Sequence, residues 1–439
     1  MMPGGGGRNE PSARARAEHV ARTSYGRLLA ILAASNRDIE LAEDCLGDAF
    51  ERALATWPER GVPDNPEGWL LTVARNRRRD VLKSAAVRAT TSLGQPGADI
   101  VSGEEPARVR AHASESILDD FDPDAIPDRR LALLFVCAHP AIAPEMRAPL
   151  MLQTVLGFDA RRIAEAFAIQ PSAMAQRLVR AKRRIRGARI PFVVPDRSRL
   201  PERLDAVLEA IYGAYALDWN LVSGTTVRES VAFEAHYFAV TLATLLEDEP
   251  EAHGLAALIS LSLARLDARG GSDDFVPLEE QDPARWDGGL IGLGERHLRR
   301  AHALGRVGRF QLEAAIQSVH CARAASGVTD WSALRKLYDA LVTVAPTLGA
   351  RVARAAVLAE VDGPRAGLSA LESIDDPALR RFQPAWATRA HLLAAAGRKS
   401  EAAGAYAKAI SLTTVASVRR YLERRAWEVR TGRTPRLAR

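Results

Sequence analysis

RAPLMLQTVLGFDARRIAEAFAIQPSAMAQRLVRAKRRIRGAR, residues 147–189, carries the turn signals that decide the fold. Ala148 to Leu156 is apolar and stops at Gly157. Asp159 is a good N-cap, because its carboxylate can accept an N–H group that the first helical turn leaves unpaired. It opens a second helix, on which Ile163 and Phe167 are expected to face inward. After an Ile169-Gln170 turn, Pro171 stands at a first-turn position and starts a third helix. A helix, a turn of three or four residues and a second helix is the helix-turn-helix arrangement.

The third helix holds the chemistry. Met174, Leu178, Ala181 and Ile185 recur at three- and four-residue spacing and form one buried stripe. Gln176, Arg177, Arg180, Arg183 and Arg184 fall away from it. From Arg177 to Arg189 there are seven basic residues and no acid. In a DNA-reading helix the N-terminal residues meet base edges and the basic residues beyond them hold phosphates.

The chain has 439 residues, enough for two to four domains at about 150 residues each. No apolar run approaches the ~20 residues of a membrane span. The N-terminus, MMPGGGGRNEPSARARA, has no apolar stretch of the kind a secretory signal needs. Cys45, Cys137 and Cys321 are far apart and match no metal spacing, so neither disulfides nor a metal is expected and a reducing cytoplasm is. Residues 1–199 carry 30 Lys/Arg against 25 Asp/Glu, and residues 200–439 carry 30 against 29. The positive excess therefore sits in the half with the helix-turn-helix, as a nucleic-acid footprint would.

In chain order, a helical block comes first, from about Glu18 to Lys83. Ala42, Cys45, Leu46, Ala49, Phe50, Ala53, Leu54 and Trp57 keep helical spacing over four turns. The opposite face shows Glu40, Glu43, Asp44, Asp48 and Glu51. Periodicity fits a solvated acidic face and a docking surface for a basic partner equally well. A second helix starts near Pro66, with Trp69, Leu70, Val73, Ala74 and Val81 inward. Around them crowd Arg75, Asn76, Arg77, Arg78, Arg79 and Lys83, which suits a phosphate backbone or single-stranded bases. Trp69 is read as core. Residues 84–127, rich in Gly, Pro, Ser and acids, lose all apolar period and read as a linker.

Taken together, AEDCLGDAFERAL, NPEGWLLTVARN, DRRLALLFVCAHPAIAPEMR and the 147–189 stretch resemble an extracytoplasmic-function sigma factor of bacterial RNA polymerase. MAQRLVRAKRRIR followed by IPFVVP, and LEEQDPARWDGGLIG further on, resemble the subgroup with a large C-terminal helical extension. The resemblance implies a tail (1–17), a region-two domain (18–86), an acidic linker (87–127), a region-four domain (128–195) and an extension (196–439). It also implies roles. Asp44, Asp48, Glu51 and Arg52 would meet the clamp helices of the polymerase's largest subunit. Arg75, Asn76, Arg78, Arg79 and Lys83 would help open the −10 element and hold its non-template strand. Ser172, Ala173, Gln176, Arg177, Arg180, Arg183 and Arg184 would read or hold the −35 element. The linker would thread toward the active-site cleft or RNA exit path. Gly47 departs from the pattern: such helices usually carry a polar contact there, and a mid-helix Gly costs roughly 1 kcal/mol.

Residues 200–439 look helical almost throughout. In PAWATRAHLLAAAGRKSEAAGAYAKAISL (384–412), two helices meet at Gly397, with Ala390, Ala402 and Ala409 at the close approaches. ARVARAAVLAEVDGPRAGLSALESI precedes it as a weaker copy, with Leu358 matching Leu393 and Gly363 matching Gly397. A period near 34 residues fits tetratricopeptide-like hairpins stacked into a solenoid, with 250–269 and 300–321 as degenerate members. An irregular helical domain with two true repeats fits its first third as well. No HExxH, GxxxxGK[ST] or GxSxG motif occurs, so neither enzyme nor cofactor is expected. Glu279, Glu280, Asp282 and Asp287 around Trp286 form a dense acidic-aromatic cluster, read as a loop packed against the solenoid or the sigma domains.

The expectation is an all-α sigma factor whose extension modulates activity, replacing a separate anti-sigma protein through intramolecular contact with the sigma domains. Its partners would be core RNA polymerase and promoter DNA, with no membrane. The alternative is a polymerase-independent helix-turn-helix regulator with a ligand- or protein-sensing repeat domain. It predicts tight duplex binding without core enzyme, where a sigma factor predicts feeble binding alone.

Overall fold

A computed structural model describes residues 13–36, 38–92, 126–167, 169–192, 195, 199–219, 231–269 and 275–432. Among them every regular element is a helix. The chain divides into two compact units, Met1–Gly213 and Ala214–Arg439. Most of the expected linker and tail lie outside the described residues.

The first unit contains α1 (Ala13–Asn36), α2 (Ile39–Arg60), α3 (Pro66–Ser92), α4 (Ile126–Cys137), α5 (Pro144–Thr154), α6 (Ala160–Ala166) and α7 (Pro171–Gly187), with α8 (Pro201–Trp219) running across the division. Its organising feature is in α1. Leu28, Leu29, Ala30, Ile31, Leu32 and Ala33 are all buried, so this helix is apolar all round and needs neighbours on every side. It is packed against α2 and α3, and also against α4. The latter shows the same pattern: Leu131 to Ala138 are buried without a break. These two helices fuse the expected region-two segment and the segment after the linker into one core. Gly26 marks the closest approach. A Cβ there would run into the backbone carbonyl of Val155, just past α5.

Several boundaries and faces differ from the sequence reading. The helix expected to open at Ala148 begins at Pro144, whose fixed φ suits a first-turn position. α3 continues to Ser92 into the expected linker, where SAAVRA is rich in helix-forming residues. Phe167 was expected inward, yet it is 39% exposed. It caps α6 rather than belonging to it, and Phe158 fills the core in its place. Leu54, expected on the buried stripe of α2, is 48% exposed, because that stripe is served by Ala53 and Trp57. The local signals hold. Asp159 accepts the Arg162 N–H at 2.9 Å. Gly157 has φ +72, and the next N–H, from Phe158, reaches back to Leu152 O at 2.9 Å, closing α5.

The second unit runs through α9 (Val231–Leu245), α10 (Pro250–Leu263), α11 (Gly288–Ala303), α12 (Arg309–Cys321), the single turn α13 (Arg323–Ser326), α14 (Trp331–Val344), α15 (Leu348–Asp362), α16 (Pro364–Glu372), α17 (Gln383–Ala395), α18 (Lys399–Leu412) and α19 (Ala416–Thr431). α10 is its core helix, buried at every position except Glu251. That carboxylate accepts the N–H groups of Phe310 and Gln311 at 2.9 and 3.0 Å and so caps α12. Residues 250–269, expected to be a degenerate hairpin, are instead this one helix ending in a 3₁₀ turn. Two hairpins follow later, α15/α16 and α17/α18, turning at Gly363 (φ +92) and Gly397 (φ +77). Ala390, Ala402 and Ala409 are fully buried between helices. A Cβ on Gly367 would meet Ala359 and Leu392. Small residues set these close approaches.

Histidines in this unit make it sensitive to acid. His253 Nε2–H donates to Glu247 O at 3.2 Å, which leaves its Nδ1 to accept from His297 Nδ1–H at 3.0 Å. A second proton would set two donors face to face. Burial, then the neighbouring histidines, lowers His297 to about 4, and burial lowers His320 to about 4 as well. Both are neutral when folded and take up protons on unfolding. Their stabilisation is complete above the ordinary histidine value and is lost as pH falls from about 6.5 toward 4. Thermal unfolding followed across that range should show Tm falling steadily, and His297→Gln should flatten the decline. An unchanged slope in that variant would count against this origin.

Candidate nucleic-acid interface

α7 is built as its sequence demands. Pro171 occupies the first helical position, and Met174, Leu178, Ala181 and Ile185 are buried. Ser172, Gln176, Arg177, Arg180, Arg183 and Arg184 are exposed, and Ala173 is half-buried. Arg177, Arg180 and Arg184 line one side of a cavity of about 500 Å³ whose other wall is the α4–α5 turn with Glu145 and Met146. A basic edge beside an open groove can take a phosphate backbone, while Ser172 and Gln176 near the N-terminus can reach base edges.

The C-terminal half of α7 does something else. Lys182 is only 6% exposed and meets both carboxylate oxygens of Glu43 on α2, at 2.7 and 2.6 Å. Arg183 reaches Glu40 at 3.3 Å, and Arg186 reaches Asp38 at 3.1 Å. Three cations of one helix are thus matched to two acids of another and to Asp38, the residue that caps it. Glu43 is itself pushed up by burial, an effect that Lys182 opposes. Net desolvation outweighs the attraction, as is common for half-buried pairs. The acidic face of α2 is therefore divided. Its first turns are occupied by α7. Further on, Asp44, Gly47, Glu51, Arg52 and Leu54 are exposed, and Asp48 is tied to Arg77 of α3 at 2.6 Å.

On α3, Asn76, Arg79 and Lys83 are exposed, whereas Arg75 is half-buried. Arg78 hydrogen-bonds the Ser35 hydroxyl at the end of α1. Trp69 is half-buried and packs edge-on against the buried Trp57, ring centroids 5.6 Å apart.

A family model described as Sigma-70 region 2 matches residues 20–88, from α1 through most of α3. The ECF RNA polymerase sigma factor SigG of Mycobacterium tuberculosis is 27% identical over 270 residues, 57% of this chain and 72% of that protein, with the same figures in two strains. An uncharacterized protein of Rhizobium meliloti is 33% identical over 391 residues, 88% of this chain and 89% of that one. The chain belongs to the extracytoplasmic-function sigma factors. A second model, described as a family of unknown function (DUF6596), matches residues 203–302. This sigma factor therefore carries a helical extension of its own. No solved structure matches the chain. Among the described residues, no helix is long and apolar enough to cross a membrane.

The placement of two residues in this sigma factor escaped sequence reading. Lys182 lies four residues after Leu178 and three before Ile185, on the edge of the apolar stripe. A lysine there signals a buried partner, but its sign and address come only from the fold. Leu54 looked like core because it continued the stripe of α2. It lies instead on the exposed face with Gly47 and Glu51. Gly47 has open space around its missing Cβ. Gly47→Ala should therefore stabilise α2 by up to about 1 kcal/mol, raising the midpoint of urea unfolding. A lowered midpoint would mean that this position is constrained by something other than helix propensity.

Proposed function

We propose that the first unit directs RNA polymerase to promoters through three surfaces. α7 reads the −35 element as the recognition helix of a helix-turn-helix, with Ser172, Ala173, Gln176, Arg177 and Arg180 toward the bases and Arg184 toward phosphates, joined by Arg183 once its pair with Glu40 opens. α3 engages the −10 element through Arg75, Asn76, Arg78, Arg79 and Lys83. The exposed remainder of α2 (Asp44, Asp48, Glu51 and Arg52, joined by Leu54) docks on the clamp helices of the largest subunit. The observation that carries this reading is the exposed Gln176–Arg177–Arg180 edge, in a compact unit whose first three helices match Sigma-70 region 2. The second unit modulates that activity, consistent with a relative that matches this chain over most of its length.

Purified core polymerase and an open template library provide the test. The full chain should bind core and direct transcripts from a two-part site. Tight sequence-specific duplex binding without core would instead make it a polymerase-independent regulator. Arg177→Ala should lose about 1–3 kcal/mol of discrimination at one base pair of the −35 element. A uniform loss across all sequences, with a shallower salt dependence, would reassign Arg177 to a phosphate.

A further inference from the structure

The acidic-aromatic loop of the second unit has a use that promoter recognition does not account for. It is fixed in place. Arg323 donates to the carbonyl oxygens of Leu278, Glu279 and Gln281 at 2.8–3.1 Å, while its guanidinium lies 5.1 Å from the Trp286 ring centroid. Phe275 packs edge-on against Tyr421 of α19, at 5.3 Å. Asp282 and Asp287 are spent locally, accepting the Ala284 and Leu290 N–H groups. Glu279, the first of the four acids, lines a cavity.

That cavity has a volume of about 260 Å³ and is walled by Trp331, Tyr406 and Tyr421, with Glu279, Glu360 and His391 also contributing. Glu279 and Glu360 are exposed, and neither carboxylate has an ion-pair partner among the described residues. The neighbouring cation Arg425 is held by Glu428 at 2.8 Å. Ring faces and carboxylates both attract cations, and a pocket that combines them favours a positive group over its neutral isostere. Tyr421 already draws one, with the Arg424 guanidinium 5.4 Å from its ring centroid. The size is below that of drug-like ligand sites and suits one long side chain. The walls come largely from α15, α17 and α19, which are α-helices alternating along the hairpin array. Stacked hairpin arrays offer an extended binding surface, on which a side-chain pocket suits a chain running past it.

We infer that this cavity is a docking pocket for an arginine or lysine side chain of a polypeptide partner, with Glu279 and Glu360 pairing its charge. The test uses the full-length protein and calorimetric titration with the blocked pentapeptide Ala-Ala-Arg-Ala-Ala. Its citrulline analogue, which keeps the shape and removes the charge, is the control, and blocked arginine is a third probe. The arginine peptide should bind roughly tenfold more tightly than the citrulline peptide. Glu279→Gln/Glu360→Gln should abolish that preference, and both positions are exposed enough that thermal unfolding should stay unchanged. Equal binding of the two peptides, no saturable binding, or a preference that survives the double substitution would overturn the assignment. Blocked arginine binding as tightly as the pentapeptide would overturn the polypeptide source.

Discussion

Replacing Lys182 with alanine should cost the first unit about 3 kcal/mol of stability, as much as truncating one of the buried apolar residues of α7. The reason is what stays behind. Glu43 is half-buried, and its carboxylate oxygens have an ammonium at 2.7 and 2.6 Å. Burial already pushes its proton affinity up, so losing the cation removes the main effect that opposes this. The deficit should shrink as pH falls. Without Lys182 the folded protein holds a proton on Glu43 that the unfolded chain releases, so protonation favours folding of the variant. A pair of apolar replacements, Lys182→Met with Glu43→Leu, should recover most of the loss, because neither leaves a charge stranded. Urea unfolding of the two single variants and the double variant measures all of this. Additive losses would show that the two side chains are not coupled.

The Lys182 pair also sets what could be read from the chain alone. Signals confined to a few consecutive residues were legible: the Asp159 cap, the Gly157 and Gly397 turns, the stripe from Met174 to Ile185. Each depends on backbone geometry or helical period, and these act within one or two turns. The faces of α2 were legible only in part, because an acid on a helix surface looks the same whether water or another helix meets it. Glu40 and Glu43 turned out to face Arg183 and Lys182, some 140 residues away along the chain. The fusion of the two helical blocks had a signal that periodicity missed. YGRLLAILAA in α1 is too evenly apolar to have one buried side, as is LALLFVCA at α4. A helix of that kind reports that it is surrounded, though not by what. Phe167 misled for the converse reason. It kept the spacing of a helix that had already ended.

Gly26→Ala separates the stability of this closed unit from its use. By helix propensity alone, alanine in the middle of α1 should stabilise by up to about 1 kcal/mol. Against this, the new methyl group would collide with the Val155 carbonyl, a backbone atom that cannot swing aside as a side chain would. Overpacking of this kind costs about 1–3 kcal/mol, so a net loss of roughly 1–2 kcal/mol is expected, placed at the joint between α1 and α5. No residue proposed to touch DNA or polymerase is altered. Under the proposed function polymerase meets the exposed part of α2 from Asp44 on, and a footprint one turn longer would overlap α7, which holds Glu40 and Glu43. Docking of α7 and docking of polymerase then compete, and the measured affinity for core is reduced by the fraction of chains that are closed. Loosening the joint by about 1.4 kcal/mol should therefore tighten core binding by up to tenfold while Tm falls. Opposite movements of the two quantities in one variant are the signature of an autoinhibited unit. A lower Tm with unchanged core affinity would mean that α7 stays on α2 in the polymerase complex, leaving Asp44, Glu51 and Leu54 to carry the contact.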